Sequence, residues 1–172
     1  MIHLKDDKAL KENVSLNVTR KIVQFVMKHG DYDADEVLVV EAHLNLKNIP
    51  DTGIACIQDL NPYVLIQVHL REWEKQNPNG QHACLLHEIG HLKTCGPKDE
   101  AECQAHLWAM EYAYENNMKE LLPELIDLLT SWYYGKLEDE HDLPYRKAYD
   151  MFFADKELVD KYKLQKNKDD HD

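Results

Sequence analysis

Residues 36 to 70 hold the chain's β-type patterning in one block, with helical patterning on both sides. That order constrains the fold more than any other feature. Strands that alternate with helices build parallel α/β layers, whereas strands gathered together and then followed by helices build α+β domains. Within the block, "EVLVVEAHLNL" (36–46) is rich in β-branched residues and then alternates, with Glu41, His43 and Asn45 on one face. "TGIACIQ" (52–58) and "PYVLIQVHL" (62–70) read as two further strands, joined by the turn chemistry of "DLNP". Ahead of the block, Val14, Val18, Ile22, Phe25 and Val26 recur at spacings of four and three, a helical apolar stripe that ends at Gly30. After it, "KQNPNGQ" (75–81) reads as a loop, and helical patterns cover 82–95, 98–116, about 118–134, 144–153 and 155–164. The expectation is an α+β fold. A small antiparallel or mixed sheet of about three strands packs against the 82–95 helix and its successors, with a helical C-terminal extension.

The 82–95 helix carries "CLLHEIGHLKT" (84–94). Residues four apart on a helix share a face, so His87 and His91 can each aim a ring nitrogen at one metal ion. Glu88 stands beside them, within reach of a water on that metal. A catalytic zinc ion takes three protein ligands and leaves its fourth position to water, whose pKa falls to about 7. The glutamate then takes the water's proton and passes it to a leaving amine. A third ligand is expected from the next helix, where "DEAECQAHLWA" offers Glu100, Glu102 and His106. Glu102 and His106 share a face and Glu100 points away from it. A carboxylate suits zinc's oxygen distance of about 2.0–2.2 Å, which favours Glu102 as the ligand, with His106 behind it or lining the site. Gly90 costs about 1 kcal/mol of helix propensity against alanine, which implies that another element passes close to it.

Function classes narrow further on charge and cysteine usage. Across 172 residues the formal net charge is −12, a field that repels phosphate backbones, so nucleic acid is not an expected partner. "MIHLKDDKAL" lacks a signal peptide's apolar region, and no stretch approaches the roughly 20 apolar residues of a membrane span. Cys56, Cys84, Cys95 and Cys103 form no CxxC pair, which argues against a four-thiolate zinc site and for reduced thiols in a cytoplasmic protein. Cys84 and Cys95 lie one turn to either side of the histidine pair and read as small buried residues.

A hydrolase of this type needs a donor for the developing oxyanion. His106, Tyr112, Tyr63 and His69 are the candidates. His69 and His82 otherwise read as surface polar residues, and Asp99 as a helix cap or a partner for a ligand histidine. The 62–70 strand is either an edge open to a peptide substrate or a paired inner strand. The last third, rich in Trp132, Tyr133, Tyr134, Phe152 and Phe153, either packs on the core, gates the cleft or binds a partner.

"HEIGH", followed by a helix reading E-x-x-A-x-x-W-A at Glu102, Ala105, Trp108 and Ala109, resembles the ImmA/IrrE family of zinc peptidase-like proteins, which are gluzincins. The resemblance implies a compact α+β core over about residues 10–117, with His87, His91 and Glu102 as Zn2+ ligands and Glu88 as catalytic acid/base. It also implies a regulatory peptidase of bacterial or phage origin, acting on a protein or peptide. His106 departs from the asparagine or small polar residue that relatives often carry there, and no helix-turn-helix segment accompanies the core. The expected organisation is a core at 1–117, a helical extension at 118–164 packed on it, and a disordered tail at 165–172. The competing expectations are a metal-holding sensor or protein-binding module that cleaves nothing, and a helical protein without metal.

Overall fold

A computed structural model describes residues 16–41, 55–94, 100–134 and 143–163. Val14, His43, Asn45, Cys95, Asp99 and the 165–172 tail lie outside the described residues, as do the side chains of Glu41, Trp132, Tyr133 and Tyr134. In chain order the elements are α1 (Leu16–Gly30), β1 (Val37–Glu41), β2 (Ala55–Leu60), β3 (Tyr63–Val68), α2 (Leu70–Trp73), α3 (Pro78–Lys93) and α4 (Ala101–Glu115). A 3-10 turn (Lys119–Leu121) then leads into α5 (Leu122–Tyr134), α6 (Leu143–Ala154) and α7 (Lys156–Tyr162). The fold is α+β.

The sheet is mixed, with strand order β1-β3-β2. β1 runs parallel to β3, and β2 runs antiparallel to it. The 62–70 segment is therefore the paired inner strand, and among the described residues the sheet's edges are β1 and β2. Alternation sets one face against the helices: Val37, Val39, Ala55, Val64, Ile66 and Val68 are buried, while Gln58 and Tyr63, on the other face, are exposed. The register keeps that face continuous, pairing Val39 with Ile66 and Ile66 with Ile57.

α3 begins at Pro78, four residues ahead of its expected start. Asn77 caps it, its side-chain oxygen accepting from the Gly80 N–H, and Pro78 fills the first-turn position where a missing N–H costs nothing. Residues that favour turns are here the start of a helix. Ala83, Cys84, Leu85, Leu86, His87, Ile89 and Gly90 are all buried, so α3 is enclosed on several sides, beyond the single apolar side formed by Leu85, Leu86, Ile89 and Leu92.

The C-terminal helices complete the core. Leu125 and Leu129 of α5 and Ala148, Tyr149 and Phe152 of α6 join Leu86, Ile89 and Ala109 in one buried apolar cluster. Phe152 has no exposed surface and Phe153 packs against Tyr149, with ring centroids 4.4 Å apart. Among the described aromatic residues of the last third, packing accounts for the pattern. No helix among the described residues is long and apolar enough to cross a membrane.

Candidate metal centre

The centre is built where α3 and α4 cross. A Cβ placed on Gly90 would lie 2.3 Å from the Ala105 carbonyl oxygen and 2.9 Å from the Ala105 carbonyl carbon and Cα. Only glycine permits that approach, which is the close passage its place in the motif implies. Glu102, three residues before Ala105 on α4, is thereby carried to the face of α3 that bears His87 and His91.

There the side chains converge. Glu102 Oε2 lies 3.2 Å from His87 Nε2 and 3.2 Å from His91 Nε2. One ligand atom from each residue falls within 4.8 Å of the others, so His87, His91 and Glu102 form a group that can hold a metal ion. Burial grades across the group: the His87 side chain is 5 % exposed, Glu102 17 % and His91 24 %. Solvent therefore reaches the centre from the His91 side. Glu100, the other carboxylate considered, sits at the N-cap position of α4, outside the group.

Electrostatics couple these groups tightly. Burial opposes ionisation of Glu102, yet the hydrogen bonds and positive charge of His87 and His91 outweigh it and hold its carboxyl down to about 2. Burial likewise works to lower His91, but the Glu102 hydrogen bond and the Glu102 and Glu88 charges hold it above the ordinary histidine value. Glu88 behaves differently. Burial pushes its carboxyl up, and the Glu102 charge adds to this against the pull of His87, His91 and the Ile57 amide.

That amide is a partner the residue pattern does not disclose. Ile57 N–H, on edge strand β2, donates to Glu88 Oε2 at 3.0 Å. Ile57 reads only as a buried strand residue, and its contribution to the site is a backbone group that every non-proline residue carries. Cys56, next to it on β2, has its thiol pushed up to about 11 by burial and by the Glu88 and Glu102 charges.

The remaining expected residues divide. His106 is fully buried beneath the centre, with its ring 5.5 Å from the His87 ring and edge-on to Phe152 at 5.4 Å. Burial first, then the neighbouring His87, keep its imidazole well below the ordinary value, against a hydrogen bond with the Leu125 backbone. It lies behind His87 and presents no surface to solvent. Tyr112 belongs to another cluster: its hydroxyl lies 3.3 Å from His29 Nδ1 and its ring stacks on Trp108. Tyr63 is exposed at the β2–β3 turn, opposite Leu60. His69 and His82 correct the expectation of surface residues. His69 is buried at the junction of β3 and α2, and His82 lies within α3, partly buried and stacked on Phe25 at 4.6 Å. Phe25 arrives from α1, which sequence-local patterning cannot register. Cys84 is buried as expected, and burial holds its thiol far above the usual range.

Searches against protein-family models, curated proteins and solved structures return no match for this chain.

Proposed function

We propose that His87, His91 and Glu102 hold a zinc ion and that the chain is a zinc-dependent peptidase acting on a protein or peptide. The observation that carries this reading is the convergence of two imidazole nitrogens on one carboxylate oxygen, each at 3.2 Å. A tetrahedral zinc ion with bonds of about 2.0–2.1 Å needs neighbouring ligand atoms roughly 3.3 Å apart, the bond length times 1.63. Those two separations already match. Two nitrogens and one oxygen are also the donor set of His2Glu catalytic zinc sites, which keep a fourth position open.

Zinc held there supplies Lewis acidity and lowers the pKa of a coordinated water to about 7. The rest falls to the chain's own residues. Glu88 takes a proton from the attacking water and returns it to the leaving amine. Ile57 N–H holds Glu88 Oε2 and leaves Oε1 for the proton. The HEIGH resemblance to ImmA/IrrE gluzincins agrees with these roles.

One observation favours a second reading, a metal-holding sensor or protein-binding module that cleaves nothing. Among the described residues, none of the expected oxyanion donors has an exposed polar group in contact with His87, His91 or Glu102: His106 and His69 are buried, and Tyr112 and Tyr63 lie elsewhere. The test is Glu88→Gln, scored by zinc content and by release of fluorescent peptides from a quenched, unfolded casein. The peptidase reading expects zinc retained and cleavage abolished. Cleavage that survives in the glutamine variant refutes Glu88 as the proton carrier. A wild-type protein that binds zinc and cleaves nothing supports the module.

A further inference from the structure

His106 is an unusual occupant of its position. It has no exposed surface, and its surroundings include Phe152 of α6 and the α5 backbone at Leu125. A leucine would fill such a space without burying polar atoms, and buried polar groups are costly unless something engages them. What the imidazole touches on its other side is the His87 ring, 5.5 Å away. His87 turns Nε2 toward Glu102, and its Nδ1 is shielded from solvent. The outer nitrogen of a metal-bound histidine needs a fixed neighbour, because that neighbour sets the ring's tautomer and angle.

We propose that His106 is a positioning residue for the metal centre, linking the C-terminal helices to His87 so that α5 and α6 hold the ligand geometry. The chain of contact runs from the Leu125 backbone and the Phe152 ring to His106, and from His106 to His87. The helical segment after residue 118 is then part of the site's scaffold and more than an appendage packed on a self-sufficient core. It explains why an imidazole, rather than an aliphatic side chain, stands one helical turn after Glu102 on the same face of α4. The inference rests on the metal reading above and adds to it a residue and a segment.

The experiment uses the full chain. Zinc affinity is measured by competition with a chromophoric chelator, alongside the melting temperature of the metal-free protein and the visible d–d spectrum of the cobalt(II) form. His106→Leu is expected to leave metal-free stability equal or higher, to weaken zinc binding roughly ten- to a hundredfold, and to change the cobalt spectrum. His106→Asn or His106→Gln, which keep a polar group for His87, should recover much of that affinity. A leucine variant with wild-type affinity and an unchanged spectrum overturns the proposal. So does a loss of affinity that the amide variants do not relieve. Phe152→Leu keeps the core apolar while removing the ring that braces His106, and guards against misfolding of the first variant. A severalfold loss of zinc affinity with the metal-free fold intact supports the linkage, and no loss contradicts it. If the wild-type protein binds neither zinc nor cobalt, the metal reading itself has failed, an outcome distinct from any of these.

Discussion

Gly90→Ala sets two physical effects against each other, and the structure decides between them. Helix propensity alone favours alanine by up to about 1 kcal/mol. The crossing opposes it: the new methyl would sit 2.3 Å from the Ala105 carbonyl oxygen, where carbon contacts prefer about 3.5 Å or more. The obstruction is backbone, so no side-chain rotation relieves it. α4 must therefore retreat by roughly 1 Å. Overpacking of this kind costs about 1–3 kcal/mol, and a backbone clash belongs at the upper end. Subtracting the propensity gain leaves a net loss of about 2 kcal/mol. For a chain of this size that is a fall in melting temperature of roughly 4–8 °C. The metal centre should suffer more than the fold. Glu102 rides on the same helix, and metal–ligand distances tolerate only about 0.2 Å, so zinc affinity should fall at least tenfold. Thermal unfolding of the metal-free protein and a chelator competition measure the two effects. A variant that melts at or above the wild-type temperature, with unchanged zinc affinity, refutes the close crossing and the placement of Glu102 that depends on it.

Three further outcomes follow from the site. The raised His91 means that protons compete with metal, so zinc affinity should fall as pH drops through that raised value; a flat profile between pH 5.5 and 8 would contradict the coupling. The metal-free protein should respond in the opposite sense. A histidine held above its unfolded value contributes stability that is complete below that unfolded value and is lost as pH rises through the folded one, so the metal-free melting temperature should decline across that step while the zinc-loaded form does not. Cys56, with its thiol pushed up to about 11, should react with a disulfide reagent at pH 8 roughly tenfold more slowly than an ordinary thiol, the smaller thiolate fraction outweighing the greater nucleophilicity of the thiolate, and the gap should close on unfolding.

Much of this site was legible because its chemistry depends on local spacing. His87 and His91 share a helical face through their separation of four, and Glu102 was separated from Glu100 by the face it shares with His106. Gly90 announced a close approach through its cost in a helix. Ile22, Phe25 and Val26 marked the inner side of α1 for the same periodic reason. What stayed hidden depends on elements distant in the chain. Asn77 and Pro78 are as much turn residues as helix-starting ones, and only the Gly80 amide bound to Asn77 reveals the cap. His82 looks like a surface residue until Phe25 arrives from α1 to stack on it. The strand order β1-β3-β2 was not fixed by three strands in a row. The hold that Ile57 exerts on Glu88 comes from a backbone amide, which no residue identity encodes.

A metal ion held jointly by α3 and α4 is the premise on which the proposed chemistry stands. Zinc content of protein purified without a metal-binding tag, compared between wild type and Glu102→Ala, tests this most directly. The prediction is about one zinc ion per chain in the wild type, with little retained by the variant after mild chelation. A wild-type protein that stays far below one equivalent after zinc loading, or a variant that keeps its zinc as firmly as the wild type, would contradict it.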